Sequence, residues 1–237
     1  MDLRGNSVTW LGHGTWLWET SEGKRVLVDA FLASNPATPE EWKEPGATKA
    51  DGILLTHGHA DHIGDAVSVI QATGAPAFAI VEVAGYLGSR GAEAITGFNK
   101  GGTVEVAGVQ ATMVHAVHSG GIDTEGFPAI PGGAEAGFVL EFPDGLVVYH
   151  AGDTDVFGDM ALIAEIYQPH VSVLPIGGHF TMAPRQAAHA VRLLGATQVL
   201  CGHFGTFPLL AGTPDQLRDL VGPGVEIPDM TPGIRFP

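Results

Sequence analysis

Cysteine and cationic side chains are both scarce in this chain of 237 residues. The single cysteine, Cys201, has no second thiol to pair with, which excludes a scaffold stapled by internal disulfides. A reducing compartment fits best, and we expect a cytoplasmic protein. Only 11 Lys and Arg stand against 26 Asp and Glu, and a net charge of -15 repels polyanions and anionic membranes. We therefore expect a small-molecule substrate, and neither nucleic acid nor a membrane as a partner.

Long apolar runs are missing as well. No uncharged apolar stretch approaches the roughly 20 residues that span a bilayer, and the N-terminal MDLRGNSVTW lacks the apolar segment of a signal peptide. Apolar residues still make up 45% of the chain, enough for a large core, and we expect one domain over residues 1–237. The 34 glycines and 16 prolines favour a sheet-rich fold of short elements joined by tight turns.

Short runs rich in Val, Ile and Leu recur along the chain and predict β-strands. These runs cover residues 8–11, 25–28, 53–55, 112–117, 137–142, 146–149, 171–176 and 198–201. Segments with helical spacing lie at 62–73, 83–89, 159–168, 184–195 and 214–220. Gly74, Gly195 and Gly222 are expected to end three of these helices.

Two segments are expected to be long loops, at 33–49 and 120–136. Loops of this length in a compact domain are often functional. Phe127 and Ile130 in the second loop are candidates for a mobile cover over a site.

Five of the apolar runs end in clusters of histidine, aspartate or glycine. GILLT precedes HGHADH, MVHAV precedes HS, LVVYHA precedes GDTD, VSVLPI precedes GGH, and TQVLC precedes GHFGT. Strands that lie side by side bring such clusters to one edge of a fold, where ligand sites form in layered α/β proteins. The sequence predicts a functional site at this edge.

The first cluster has the spacing of a metal site. His57 and His59 are two residues apart in an expected extended turn, so both side chains project the same way and can bind one ion. Asp61 and His62 follow at the expected start of a helix, where the chain reverses direction and this pair can face a second ion. One short segment could thus supply half of a two-metal site.

Further ligands are expected after other strand-like runs, at His118, Asp153 and His203. His115 is an alternative to His118, which is favoured because it ends its strand. Asp153 has two oxygens to share and is the natural bridge. Nitrogen and oxygen donors without a thiolate suit Zn²⁺, with Mn²⁺ or Fe²⁺ as alternatives. Two such ions roughly 3.5 to 4 Å apart would lower the pKa of a shared water to near neutrality and stabilise the oxyanion of a hydrolysis.

Residues 56–62, THGHADH, resemble the THxHxDH signature of the metallo-β-lactamase superfamily. The segments LGH, VLVDAF, AVHS, HAGDTD, LPIGGHFTM and HFGTFP follow in the family's order, so the resemblance covers roughly residues 8–208. The chain is most similar to the compact metal-dependent hydrolases akin to the ascorbate-6-phosphate lactonases. The resemblance implies an α/β (α+β) fold, a four-layer αββα sandwich with the site at the edge of two facing sheets.

The resemblance also implies roles for seven residues of these motifs. One metal would be bound by His57, His59 and His118, and the other by Asp61, His62 and His203, with Asp153 bridging both. A water or hydroxide between the metals would be the nucleophile, and Asp61 and Asp153 are the catalytic carboxylates. His13, His179 and Asp29 are candidates for contacting the substrate or the ligand side chains. Gly178 and His179 depart from the family pattern, which usually has an acidic or amide residue after PIG.

The predicted function is hydrolysis of a small molecule by a binuclear metal-bound hydroxide. Lactones, then other esters or amides, then phosphodiesters are the expected substrates. Two alternatives remain: a mononuclear iron enzyme of the same fold that oxidises a thiol or persulfide, and a metal-binding protein without catalytic activity. Association into homo-oligomers is left open by the sequence.

Overall fold

Two β-sheets form the centre of the structure, a computed structural model that describes residues 1–123 and 129–237. The seven-stranded sheet has the spatial order β15 (Arg235–Phe236), β1 (Ser7–Trp10), β2 (Trp16–Glu19), β3 (Arg25–Val28), β4 (Gly52–Leu54), β5 (Ala77–Ile80) and β6 (Ile95–Phe98). The six-stranded sheet has the order β14 (Val199–Gly202), β13 (Val171–Pro175), β12 (Val147–His150), β11 (Ala136–Glu141), β8 (Val109–His115) and β7 (Thr103–Val106). A short ribbon pairs β9 (Gly121–Ile122) with β10 (Ile130–Pro131).

Each large sheet changes from antiparallel to parallel pairing along its width. In the first sheet β3, β4, β5 and β6 are parallel neighbours, and in the second β12, β13 and β14 are. Parallel strands are covered on both faces and therefore tend to be apolar without alternation. The segment VSVLP of β13 is buried throughout, which accounts for its largely apolar sequence.

Six α-helices flank the sheets in the described part of the chain. They are α1 (Ala60–Ile63), α2 (Ala66–Thr73), α3 (Val81–Ser89), α4 (Met160–Tyr167), α5 (Pro184–Leu194) and α6 (Pro214–Val221). α5 begins with a proline in its first turn, and α6 with a capping box between Thr213 and Gln216. Both devices satisfy or remove backbone N–H groups that a helix start leaves free.

Successive residues of the second sheet face two different cores. Phe138 and Leu140 pack with the first sheet, whereas Val139 between them packs with α4, α5 and α6. The helices α2 and α3 contribute to the core of the first sheet. Because strand side chains alternate between faces, this division separates the two layers of strands from an outer layer of helices on each side. The predicted four-layer αββα sandwich is confirmed.

The predicted helix 62–73 is wrong in one respect, because it is two helices with a break at Gly64 and Asp65. The Asp65 carboxylate accepts hydrogen bonds from the backbone N–H groups of Leu32 and Ala33, at 2.6 and 3.1 Å. Its own N–H donates to the carbonyl of Ala30 at 2.9 Å. These bonds tie the segment after β3 to the start of α2, so the helix axis is interrupted there.

Other element boundaries agree with the sequence to within a few residues. Gly74 and Gly195 end α2 and α5 in the left-handed conformation, at φ of 68° and 58°, and Gly222 follows α6. The strands β2, β5, β6, β7, β9, β10 and β15 were not predicted. Among the described residues, no helix combines the length and apolar character that crossing a bilayer requires.

The two predicted loops differ in structure. Residues 33–49 contain only a 3-10 turn at Glu40–Trp42, whereas 120–136 contains the β9–β10 ribbon in its described part. Phe127, one candidate for a mobile cover, lies outside the described residues. Ile130, the other candidate, is 40% exposed on β10, and the idea of a cover stays a prediction.

Candidate metal centre

The polar clusters that follow the strands meet where the two sheets come together. The first sheet contributes the segment after β4, with His57, His59, Asp61 and His62. The second sheet contributes His118 after β8, Asp153 after β12 and His203 after β14. The structure thus brings together all seven residues that the sequence singled out as metal ligands, and it adds His13.

These side chains form three overlapping groups that could each hold a metal ion. The groups are His57, His59 and His118; His13, Asp61, His62 and His203; and His57, His62 and Asp153, with ligand atoms within 4.8 Å of one another in each. In the first group the Nε2 atom of His57 lies 2.9 Å from the Nδ1 atom of His59. His115, the alternative to His118, points away, with its Nδ1 atom 3.0 Å from the Lys100 ammonium.

Asp153 is at the centre of the groups. Its Oδ2 atom lies 2.9 Å from Nε2 of His203, 3.3 Å from Nε2 of His62 and 3.8 Å from Nε2 of His118. The Nε2 atoms of His62 and His203 are nevertheless buried without a hydrogen-bond partner. Buried polar atoms normally have one, so donor atoms that crowd together without hydrogen-bond geometry fit a cation between them. The side chains therefore fit a metal centre with nitrogen and oxygen ligands.

Asp29 holds two of the histidines in the orientation that metal binding needs. The Nδ1 atom of His62 donates to Oδ2 of Asp29 at 2.7 Å. Thr56 donates its backbone N–H and its hydroxyl to the same carboxylate, both at 2.8 Å, and the hydroxyl lies 2.9 Å from Nδ1 of His57. With protons on both Nδ1 atoms, the Nε2 atoms of His57 and His62 are free for metals. Hydrogen bonds of this kind orient ligating histidines and fix their tautomers.

His59 is oriented from the other side. Its Nε2 atom lies 3.2 Å from the hydroxyl of Ser119, the residue after His118. A proton on Nε2 donated to Ser119 leaves Nδ1 of His59 free, and that is the atom beside His57. His59 thus faces the first metal group with its Nδ1 atom.

Burial and the two carboxylates shift several pKa values in opposite directions. Burial alone would lower the pKa of His62, but the charges of Asp153 and Asp29 raise it well above the ordinary value. Burial would likewise lower the pKa of His203, but the charge of Asp153 raises it to about 9. Burial lowers the pKa of His57 well below its usual range. Burial would raise the pKa of Asp153, but His203 and His62 hold it well below its usual range.

A pocket of about 370 Å³ opens above these groups. It is lined by His59, Asp61, His118, Ser119, Asp123, Asp153, Phe180 and His203. A second cavity of about 500 Å³ shares Asp123 with it and reaches Arg90 and Tyr86. The Asp123 carboxylate accepts a hydrogen bond from the Ala60 N–H at 3.1 Å. Volumes of this order suit small-molecule ligands.

His179 is the one predicted site residue outside the cluster. Its side chain is exposed and packs its ring on Phe180, with 4.4 Å between centroids. His13 and Asp29, by contrast, lie within hydrogen-bond distance of metal-group residues. Sequence reasoning gave no role to Ser119 or Asp123. Both follow His118 in a glycine-rich segment where no periodic pattern marks them.

Comparisons with known proteins place the chain among metal-dependent hydrolases. The sequence pattern of the Beta-lactamase superfamily domain matches residues 24–204. A UPF0173 metal-dependent hydrolase of Roseiflexus castenholzii is 46% identical over 236 residues, covering 97% of this chain and 96% of the relative. One of Rubrobacter xylanophilus is 49% identical over 235 residues, covering 98% and 96%.

A solved structure agrees with these sequence relatives. The metallo hydrolase Igni18 from the hyperthermophilic archaeon Ignicoccus hospitalis has a TM-score of 0.83 and 32% sequence identity. The match covers 98% of this chain and 99% of that one. The family resemblance recognised in the sequence is confirmed, and a relationship to the ascorbate-6-phosphate lactonases is compatible with it.

Proposed function

The chain belongs to the β-lactamase superfamily and is a metal-dependent hydrolase, and from this premise we propose that it cleaves a small-molecule lactone at a pair of divalent cations. Other esters or amides, and then phosphodiesters, are the next substrate classes. Zn²⁺ is the proposed metal, with Mn²⁺ or Fe²⁺ as alternatives, because the donors are imidazole and carboxylate without a thiolate.

The position of Asp153 carries the proposal of two metals. Its Oδ2 atom lies within 3.8 Å of His118, from one ligand group, and within 2.9 Å of His203, from another. A carboxylate placed between two ligand groups can serve both. A single iron, as in a thiol oxygenase, would leave one of these two ligand groups without a metal. The names of the relatives favour a hydrolase over a metal-binding protein without catalytic activity.

Two bound cations would supply an acidified water as nucleophile and positive charge opposite the developing oxyanion. The chain itself orients the reactants. Asp61 is open to the pocket, with 34% of its side chain exposed. Although burial would raise the pKa of Asp61, the hydrogen bond from His13 and the nearby imidazole of His203 hold it well below the usual range. An ionised Asp61 accepts a hydrogen bond from an attacking water and so directs its lone pair to the substrate.

The shape and charge of the pocket limit the substrate. The bond to be cleaved would lie over Asp61 and Asp153, and the rest of the molecule would extend past Asp123 into the second cavity. Arg90, whose guanidinium lies 5.2 Å from the ring centroid of Tyr86, is the cationic group in that direction. A lactone or ester with an anionic end fits this arrangement. The cytoplasmic location and any self-association stay predictions.

The test is metal content and turnover of protein purified without added metal. We expect two metals per chain and, after loading with Zn²⁺ or Mn²⁺, hydrolysis of at least one lactone, ester or amide in a panel that includes phosphodiesters. Asp153→Ala should lose both the metals and the turnover. One tightly held iron and no hydrolysis would contradict the proposal. Within the panel, Arg90→Gln should raise KM for anionic substrates and leave neutral ones unchanged.

A further inference from the structure

The turn at residues 12–14 joins β1 to β2 and reaches the ligands of one metal only. The Nε2 atom of His13 lies 2.8 Å from Oδ2 of Asp61. The carbonyl of His13 accepts the backbone N–H of His203 at 3.0 Å and the indole N–H of Trp10 at 2.9 Å. One residue of this turn is thus bonded to two of the three ligands that the second metal needs besides Asp153.

The third ligand, His62, packs directly against the same turn. A Cβ atom at Gly14 would lie 2.5 Å from Cε1 of the His62 ring, closer than real Cβ contacts come. Glycine at this position therefore leaves the space that His62 occupies. In the described residues, no hydrogen bond or ring contact joins this turn to His57, His59 or His118.

The conformation of His13 shows that its position is imposed by its contacts. Its φ is 55°, in the left-handed region that costs a residue with a side chain free energy. Such conformations persist where surrounding contacts hold them. The contacts here are the bonds of its carbonyl and of its ring, and the ring lies 3.9 Å from that of His203 between centroids.

The geometry also distinguishes a histidine that donates a hydrogen bond to a metal ligand from a histidine that is itself a metal ligand. His13 and Asp61 meet with hydrogen-bond geometry, whereas His203 and Asp153, at a similar 2.9 Å, do not. Two side chains that bind a common cation come close in this way, without hydrogen-bond geometry between them. The Nε2–H of His13 is accordingly placed to donate to Asp61 and to leave the other carboxylate oxygen for a metal.

We propose that His13 is a positioning residue for the second metal, holding Asp61 through its ring and His203 through its backbone. This inference rests on the proposed two-metal function. Hydrogen-bond partners of metal ligands typically change metal affinity roughly 10- to 100-fold when they are removed. Loss of the His13 ring should therefore weaken the second site selectively and leave the site of His57, His59 and His118 unchanged.

The experiment measures metal stoichiometry and Zn²⁺ affinity by competition with a chromogenic chelator. His13→Leu is compared with wild type and with His189→Gln, a control on an exposed position of α5. We expect two metals in wild type and control. His13→Leu should keep one tight site and bind the second metal roughly 10- to 100-fold more weakly. His13→Gln should recover part of this loss, since its amide can donate to Asp61.

Three results would overturn the inference: unchanged affinities in His13→Leu, equal weakening of both sites, or a holo-protein crystal structure with His13 bonded to a metal at about 2.0–2.1 Å. His13→Gln carries the test if His13→Leu does not fold, as judged by thermal unfolding without metal. It should bind the second metal more weakly than wild type and the first metal equally, and two unchanged affinities would contradict the inference. One metal in wild type would instead contradict the two-metal function itself.

Discussion

The carboxylate of Asp29 and the imidazole of His62 form a hydrogen bond of 2.7 Å from which solvent is excluded. Asp29 is fully buried at the end of β3, and its φ is 59°. The same carboxylate holds Thr56, and through its hydroxyl His57. A single buried charge therefore sets the tautomers of histidines from both ligand groups.

Asp29→Asn tests this arrangement with little change in shape. Asparagine tolerates the left-handed backbone at this position, so the substitution mainly removes the charge and one acceptor. We expect Zn²⁺ affinity to fall roughly 10- to 100-fold, because the Nδ1 proton of His62 loses its charged acceptor and the Thr56 hydroxyl that orients His57 loses its own. Chelator competition measures the effect. Asp219→Asn, on the exposed side of α6, is the control, and equal affinities in both variants would contradict the role of Asp29.

Gly152 and Gly195 allow the same substitution, glycine to alanine, to be compared at a crowded and at an open position. Both have φ near 60°, yet a Cβ at Gly152 would lie 2.6 Å from the carbonyl oxygen of Ala136, whereas nothing lies within 4 Å at Gly195. Gly195→Ala should cost about 1 to 2 kcal/mol of unfolding free energy from backbone strain alone. Gly152→Ala should cost more and should displace Asp153, lowering metal content. Equal thermal shifts and two metals in both variants would rule out this close approach.

Metal affinity should depend on pH through His203. The raised pKa of about 9 means that metal-free protein keeps a proton on His203 at neutral pH, which a metal must displace. Affinity should rise as pH increases toward about 9, and His62, whose pKa is also raised, adds to the proton release. Each displaced proton contributes a slope of about tenfold per pH unit. Calorimetry in buffers of different ionisation enthalpy measures the proton release, and no release at neutral pH would contradict the prediction.

Cys201 should be unreactive until the protein unfolds. Burial raises the pKa of its thiol to about 12, and its side chain is 2% exposed. The thiolate is the reactive form, so a thiol reagent at about pH 8 should not label the native chain within the time it takes to label denatured chain completely. Cys201→Ala, which leaves no thiol, gives the background. Rapid labelling of native protein would show that the core between the second sheet and the helices α4, α5 and α6 opens readily.

The sequence indicated which candidate ligands come together because their determinants are local. His57, His59, Asp61 and His62 lie in one short segment whose spacing already implies the geometry. The choice between His115 and His118 depended on where β8 ends, which the structure places at His115, leaving His118 to turn toward the site. Sequence reasoning left Asp29 undecided, since its role depends on Thr56 and His62 being folded against it.

Other features depend on contacts that no local pattern encodes. The break between α1 and α2 exists because Asp65 binds backbone of the segment after β3, a partner 32 residues away. Asp123 enters the pocket because Ile122 of β9 packs on Gly58, where a Cβ would come within 2.6 Å of the isoleucine side chain. The strand β5 was missed because AFAI is short and rich in alanine, which has low strand preference.

The assembly of the centre from both sheets has a consequence for the order of events during synthesis. His57 is contributed by the first sheet, whereas His118, Asp153 and His203 emerge later with the second. Under the proposed two-metal function, neither half supplies all the ligands alone, so full loading requires that β14 has joined its sheet. The last strand, β15, then returns to pair with β1, so that the first and last strands of the chain close the same sheet. We therefore expect metal binding to be completed late in maturation, and a chain truncated before His203 would lack one ligand of the proposed second metal.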